Sequence, residues 1–377
     1  MKIGILTQPL LHNYGGILQN WSLQQVLRRL GHEPEMIFLD EGSRPHGKLL
    51  AMRCMSYLKC LIKRKVFGRR DVYLHPVLNP RYNPDVPEFA DCGFVKKIRK
   101  TRRLFADEDL TKYTARRNYD AFIVGSDQVW REEYSPDILA YFLKFLTDDD
   151  KRPKVAYAAS FGKNRDFISA DKMPECRRLL GRFKAVSVRE NEGIEIVRSI
   201  FGRSQVEKVL DPTLLLTQSD FLALISPQDR HNKPHITSYI LDRNVIKSTI
   251  LDEVKDELKL PCCEMGTNPG AGQMPGFSRW LANFADASFV VTDSFHGCVF
   301  SIIFEKPFIV IANAERGLDR FRTLLGEFGL SDRLLNQYTE FTERKAKLLS
   351  SPDYAFINGL LEASRRDSLK FLRDALA

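Results

Sequence analysis

The sequence predicts an α/β protein made of two Rossmann-like domains whose parallel sheets face one another across a cleft. Three observations support this. Short apolar runs of strand length alternate with amphipathic segments of helix length. The alternation stops at a polar stretch, 226–234, broken by Pro227, Asn232 and Pro234, and then restarts. The chain's 377 residues also exceed the length at which a single core usually stops growing.

The first strand is expected over 2–7, followed by a helix over 18–30 with Leu18, Trp21, Leu23, Val26, Leu27 and Leu30 on or near one face and Gly31 as its stop. Further strands are expected over 35–40, 121–124, 154–160, 185–188 and 206–210. The second set comprises strands over 235–241, 262–266, 288–292 and 307–311, with helices over 245–258, 278–285 and 297–304. The reading is therefore an N-terminal, acceptor-binding domain over 1–225 with a basic helical insertion at about 43–115, and a C-terminal, donor-binding domain over 226–352. A final amphipathic helix, 353–377, is expected to pack back on the first domain. Ligands of such sheets bind beyond the carboxyl ends of the strands, so the residues that follow each apolar run are the candidates.

Composition narrows the partners. The most apolar stretch, 288–312, is interrupted by Asp293, His296, Glu305 and Lys306, so no bilayer span is expected, and the N-terminal run is too short for an export signal. Seven cysteines without a CxxC pair fit reduced thiols, and a cytoplasmic location is expected. The net charge of +9 is concentrated: no acidic residue lies between Ser43 and Arg70, while nine basic residues from Arg44 to Arg70 do. Nucleic acid is not expected, because no reader motif accompanies the charge. Interleaved Leu49, Leu50, Met52, Met55, Leu58, Leu61, Ile62 and Phe67 suggest an amphipathic helix, resting either on an anionic membrane surface or with its stripe packed on the protein itself.

Four clusters follow strand-like runs. Asn13-Tyr14-Gly15-Gly16, with Gln19, opens the first helix, where glycines admit close backbone approach and amides suit sugar hydroxyls; a structural turn is the plainer reading. Gly125-Ser126-Asp127-Gln128, with Trp130, offers a carboxylate, an amide and an aromatic plate, or simply a helix cap. Ser187, Arg189 and Glu190 place a planar cationic fork at a strand end, for an anion or for a buried ion pair. Asp293, Ser294, His296 and Gly297 put an imidazole at a strand-to-helix switch, where it can donate or accept a proton. No metal site is expected, although Asp127, Asp211 and Asp293 all follow strands.

Taken in order, Asn13-Tyr14-Gly15-Gly16, Gly125-Ser126-Asp127-Gln128-Val129-Trp130, Tyr157-Ala158-Ala159-Ser160-Phe161-Gly162, Ser187-Val188-Arg189-Glu190, Leu210-Asp211-Pro212-Thr213 and Thr292-Asp293-Ser294-Phe295-His296-Gly297 resemble the polysaccharide pyruvyl transferase family. The resemblance implies a GT-B-like fold, with phosphoenolpyruvate as donor substrate and no further cofactor. It implies transfer of pyruvate as a ketal onto two hydroxyls of a galactose-type hexose in a capsular or exopolysaccharide repeat unit, including one on a lipid carrier. His296, Arg189 and Asp127 would be catalytic. Many members carry Arg-Leu-His where this chain has Ser294-Phe295-His296, so Arg279, Arg316 or a basic residue elsewhere, with Arg320 a further candidate, would supply the missing donor contact, or the donor is held differently. Two other readings of the same fold are a glycosyltransferase using a nucleotide sugar and a non-catalytic glycan-binding protein.

Overall fold

A computed structural model describes residues 1–10, 13–40, 47–69, 93–106, 108–163, 166–265, 275–312 and 317–377. The first domain runs β1 (Lys2–Leu6), α1 (Tyr14–Arg29), β2 (Glu33–Met36), β3 (Leu39–Asp40), α2 (Gly47–Lys65), β4 (Leu104–Phe105), α3 (Leu110–Ala115), β5 (Ala121–Val124) and β6 (Lys154–Ala159). It continues through α4 (Met173–Leu180), β7 (Ala185–Val188), α5 (Asn191–Ser199), β8 (Glu207–Lys208) and α6 (Gln218–Leu222). The second contains β9 (Ile236–Tyr239), α7 (Val245–Leu258), β10 (Cys262–Met265), α8 (Phe277–Ala285), β11 (Phe289–Thr292), α9 (Phe295–Ile303) and β12 (Phe308–Ile311). After these come α10 (Asp319–Glu327), β13 (Leu334–Leu335), α11 (Tyr338–Leu349) and the long α12 (Tyr354–Leu376).

Two parallel sheets result, ordered β2-β1-β5-β6-β7-β8 and β10-β9-β11-β12-β13. Their central strands are apolar on both faces: β5, β11 and β12 are buried throughout, as a sheet covered by helices on both sides requires. In each sheet the chain first builds outward to one side and then returns to build on the other. The reversals fall between β1 and β5 and between β9 and β11, and a ligand crevice opens at such points.

Two boundaries differ from the sequence expectation for local reasons. Helix α1 begins at Tyr14, ahead of residue 18, because the Asn13 side chain caps it by accepting from the Gly16 amide at 3.1 Å. The run 35–40 does not make one strand: β2 joins the large sheet, while β3 turns away to pair with β4 in a separate two-stranded sheet.

The two domains share one apolar core. Tyr14 from α1 stacks on Trp280 of α8 at 5.0 Å and meets Phe277 edge-on at 5.1 Å, while Phe221 of α6 meets Phe300 of α9 at 5.0 Å. Helix α12 ties them further. Its Ser368 hydroxyl accepts from the Leu210 amide at 3.0 Å, and Arg365 donates to the carbonyls of Leu214 at 2.6 Å and Leu216 at 2.7 Å. At its start the Tyr354 hydroxyl donates to the Lys306 carbonyl of the second domain at 2.5 Å. Arg365→Ala leaves two carbonyls of the 212–216 turn without their donor, and is expected to lower unfolding free energy by about 1–3 kcal/mol in urea titrations.

Candidate active site

The site is assembled at both crevices at once. Beyond β1, the first turn of α1 brings Gly15 and Gly16 forward; beyond β5 comes the turn Gly125 to Gln128. Gly125 has φ +128° and lies so close to Tyr157 that a Cβ would sit 2.0 Å from its carbonyl oxygen, so no larger residue fits. Asp127 follows with φ +75°, a conformation costly for a non-glycine residue and held here by the Ser160 amide, which donates to the Asp127 carbonyl at 3.0 Å. The second domain supplies α9, capped by the Ser294 side chain, with His296 in its first turn and Gly297 packed against the Thr292 hydroxyl.

These turns meet around a buried ion cluster. Arg189, at the end of β7, donates from Nη1 to Asp211 Oδ2 at 2.9 Å and from Nε to Glu190 Oε1 at 3.1 Å, and its Nη2 lies 3.5 Å from Asp127 Oδ1. Its side chain is only 2% exposed. Asp211 Oδ2 also accepts from the Ser126 hydroxyl at 3.3 Å and lies 3.7 Å from His296 Nε2, beyond hydrogen-bond distance. Its Oδ1 accepts from the Thr213 amide at 3.0 Å and hydroxyl at 2.7 Å. Burial pushes the Asp211 carboxyl up, but His296, Arg189 and Thr213 outweigh it and hold the group well below the usual carboxylate range. Glu190 goes the other way: burial raises it, in spite of Arg189 and the Ser160 hydroxyl, which donates at 2.6 Å.

The contact between domains is close here. A Cβ on Gly15 would lie 1.9 Å from His296 Nδ1, so the imidazole rests directly on the α1 backbone. Phe295 completes the seam, with the Arg189 guanidinium over its ring at 4.6 Å and that of Arg320 at 5.5 Å. Arg320 lines two narrow cavities beside the cluster, one with Gly162, Lys163 and Glu190, the other with Arg189 and Asp211.

Several residues singled out from the sequence serve other ends. Trp130 is fully buried, stacked on Phe142 at 5.3 Å with its indole N–H on the Tyr141 carbonyl, so it offers no plate to a sugar. Ser187 bridges the bulge between β6 and β7, accepting from the Ala158 amide and donating to the Ala156 carbonyl. Gln19 is buried against Thr7 and the Gly16 carbonyl, and Tyr14 is the interdomain anchor, its hydroxyl donating to the Pro275 carbonyl. Arg279 points away from the cleft, onto the Asp229 carbonyl and the His231 ring. Asp293 accepts from the Leu241 and Asp242 amides and from Lys247, locking the turn after β9. Arg189 itself presents no open fork to an anion, since all three of its nitrogens face carboxylates. Asn13 caps α1, Gln128 accepts from Arg131 and packs against Gly162, and Arg316 lies outside the described residues.

Asp211 was the residue that sequence reasoning underweighted, although Asp-Pro-Thr directly after an apolar run was a usable signal. It joins all the other parts. Its carboxylate and that of Asp127 are already paired with Arg189, so they do not converge on an open position for a hard cation. Among the described residues, His231, His235 and Cys263 have ligand atoms within 4.8 Å of one another, but they lie ahead of β9 and on the edge strand β10, whereas His296 follows β11. His231 contacts the Asn283 side chain, and His235 contacts the Lys233 and Asn283 carbonyls.

The sequence matches the model of the polysaccharide pyruvyl transferase family over residues 13–315. No curated protein matches it. Among solved structures, it is similar to UDP-GlcNAc 2-epimerase from Neisseria meningitidis bound to UDP-GlcNAc, at 11% identity and TM-score 0.52, covering 99% of this chain and 100% of that one. It is also similar to the S. aureus MnaA–UDP co-structure, at 13% identity and TM-score 0.50, covering 94% of this chain and 90% of that one. At such identities the likeness concerns the fold alone, which is of the two-domain GT-B type.

Two substitutions probe the geometry. Gly15→Ala forces His296 or α1 to move, and a loss of about 1–3 kcal/mol is expected in denaturant unfolding. Asp211→Asn is expected to cost about 3 kcal/mol near neutral pH, the low end for breaking a buried pair, because Asp127 and Glu190 still balance Arg189. A depressed carboxylate contributes its stability above the ordinary Asp pKa of about 3.9 and loses it as pH falls through the folded value; the gap between wild type and variant therefore narrows below about pH 4.

Proposed function

Because this chain belongs to the polysaccharide pyruvyl transferase family, we propose that it transfers the pyruvyl group of phosphoenolpyruvate to two hydroxyls of a sugar, forming a cyclic ketal and releasing phosphate. The observation that carries this reading is the placement of His296 beside the Asp211 carboxylate, at the meeting point of the two crevices. An enol phosphate requires protonation at its methylene carbon before C2 can accept a nucleophile, and an imidazolium held by a buried carboxylate is suited to that step.

The chain's own groups account for the proton traffic. His296 gives its proton to the methylene carbon, which becomes the methyl group of the ketal. The first sugar hydroxyl adds to C2 and passes its proton to Asp127, whose Oδ1 contacts the Gln128 amide and Arg189 while Oδ2 lies beside Gly16. The C2–O bond to phosphate then breaks, the second hydroxyl closes the ring, and its proton leaves with the phosphate. The proton taken by Asp127 restores His296, so the two hydroxyl protons end on the methyl group and the phosphate. Arg189 acts as a positioning residue that fixes Asp127, Glu190 and Asp211 relative to one another.

Donor binding falls to other cations. Arg320 stands over the Phe295 ring that precedes His296, which makes it a better substitute than Arg279 for the arginine missing at Ser294. Lys163 lines a cavity with Arg320 and makes a partly exposed pair with Glu133 at 2.8 Å, which a phosphate can replace at little cost. The acceptor proposed is a galactose-type hexose of a capsular or exopolysaccharide repeat unit, including one carried on lipid.

The test is incubation of the purified protein with phosphoenolpyruvate and galactose-containing oligosaccharides, following phosphate release and the fixed mass gain of a ketal. Release of a nucleoside diphosphate from a nucleotide sugar, without consumption of phosphoenolpyruvate, would overturn the reading in favour of glycosyl transfer. His296→Gln, assayed where circular dichroism shows the variant folded, is expected to lower turnover by about 100- to 10,000-fold. Arg320→Met is expected to raise the KM for phosphoenolpyruvate more than it lowers kcat, because its role is assigned to binding.

A further inference from the structure

Helix α2 buries none of its residues, although it carries a full apolar stripe. Met52, Met55, Leu58 and Ile62 are 63%, 58%, 53% and 46% exposed, and Val66 and Phe67 just beyond the helix are 72% and 71% exposed. Spacings of three and four residues put the helical four on one face. The other face, with Leu50, Arg53, Tyr57, Cys60 and Leu61, is half-buried. One side of the helix is thus partly covered, while Met52, Met55, Leu58 and Ile62 on the other face solvent.

The charges decide what suits that side. At 100° per residue, Lys48, Lys59 and Lys63 fall within or at the edge of the exposed stripe, Lys65 falls near its opposite edge, and no carboxylate occurs from Ser43 to Arg70. An amphipathic helix with long cationic side chains beside its apolar face can bury that face among acyl chains while the ammonium groups reach the headgroups. We infer that α2 docks this protein on an anionic lipid surface, lying in the plane of the interface with Met52, Met55, Leu58 and Ile62 inserted and Lys48, Lys59 and Lys63 on the headgroups. The inference is independent of the reaction assigned to the cleft, since α2 supplies none of the cluster residues.

Co-sedimentation of the full chain with vesicles tests it. Binding is expected to phosphatidylcholine vesicles containing phosphatidylglycerol, to weaken as salt rises, and to be absent with phosphatidylcholine alone. Leu58→Glu with Ile62→Glu is expected to weaken partitioning by about a hundredfold or more through lost apolar burial. Lys48→Ala with Lys59→Ala and Lys63→Ala is expected to weaken it by about a hundredfold through lost attraction to the headgroups. All five positions are solvent-facing, so both variants should keep the wild-type unfolding midpoint. The inference falls if the wild type ignores anionic vesicles, or if both variants bind as the wild type does. It also falls if sedimentation velocity without lipid shows a wild-type oligomer that the Leu58 and Ile62 substitutions dissociate, for then a second copy covers the stripe.

Discussion

The arrangement depends on one buried cation. Arg189 is surrounded by Asp127, Glu190 and Asp211, which arrive from the ends of three different strands, and removing the guanidinium would leave three carboxylates facing one another in a low-dielectric interior. That constraint fixes the turns after β5, β7 and β8 relative to each other. Arg189 alone cannot balance three carboxylates, so the cluster draws in His296 and Arg320 from the other domain. Electrostatics and domain packing therefore lead to the same place.

Much of this was legible in the sequence. Buried parallel strands announce themselves as apolar runs, and the polar residues that follow them, Asp127, Glu190 and His296 among them, come together because strand ends converge in this topology. What stayed hidden was the orientation of individual side chains. Ser187, within β7, and Trp130, three residues after Asp127, stand close to the same strand ends, yet one bridges a bulge and the other fills the first domain's core, distinctions set by local register and packing rather than by residue type. Arg189 was visible as a fork at a strand end; that three carboxylates would close around it depended on Asp211, which lies 22 positions along the chain.

Ser294 caps α9, and Phe295 next to it presents its ring to two guanidiniums, one from each domain. Positive charge thus reaches the neighbourhood of His296 from α10, without an arginine in the motif itself. A short motif records which residue types adjoin in sequence, whereas a binding site needs only that charges adjoin in space.

The imidazole of His296 rests on Gly15 of the facing domain, and its carboxylate neighbour, Asp211, also belongs to that facing domain. If the two halves swing apart, the imidazole leaves that carboxylate and the α1 backbone in a single movement. The contact between imidazole and carboxylate therefore exists only while the halves are together.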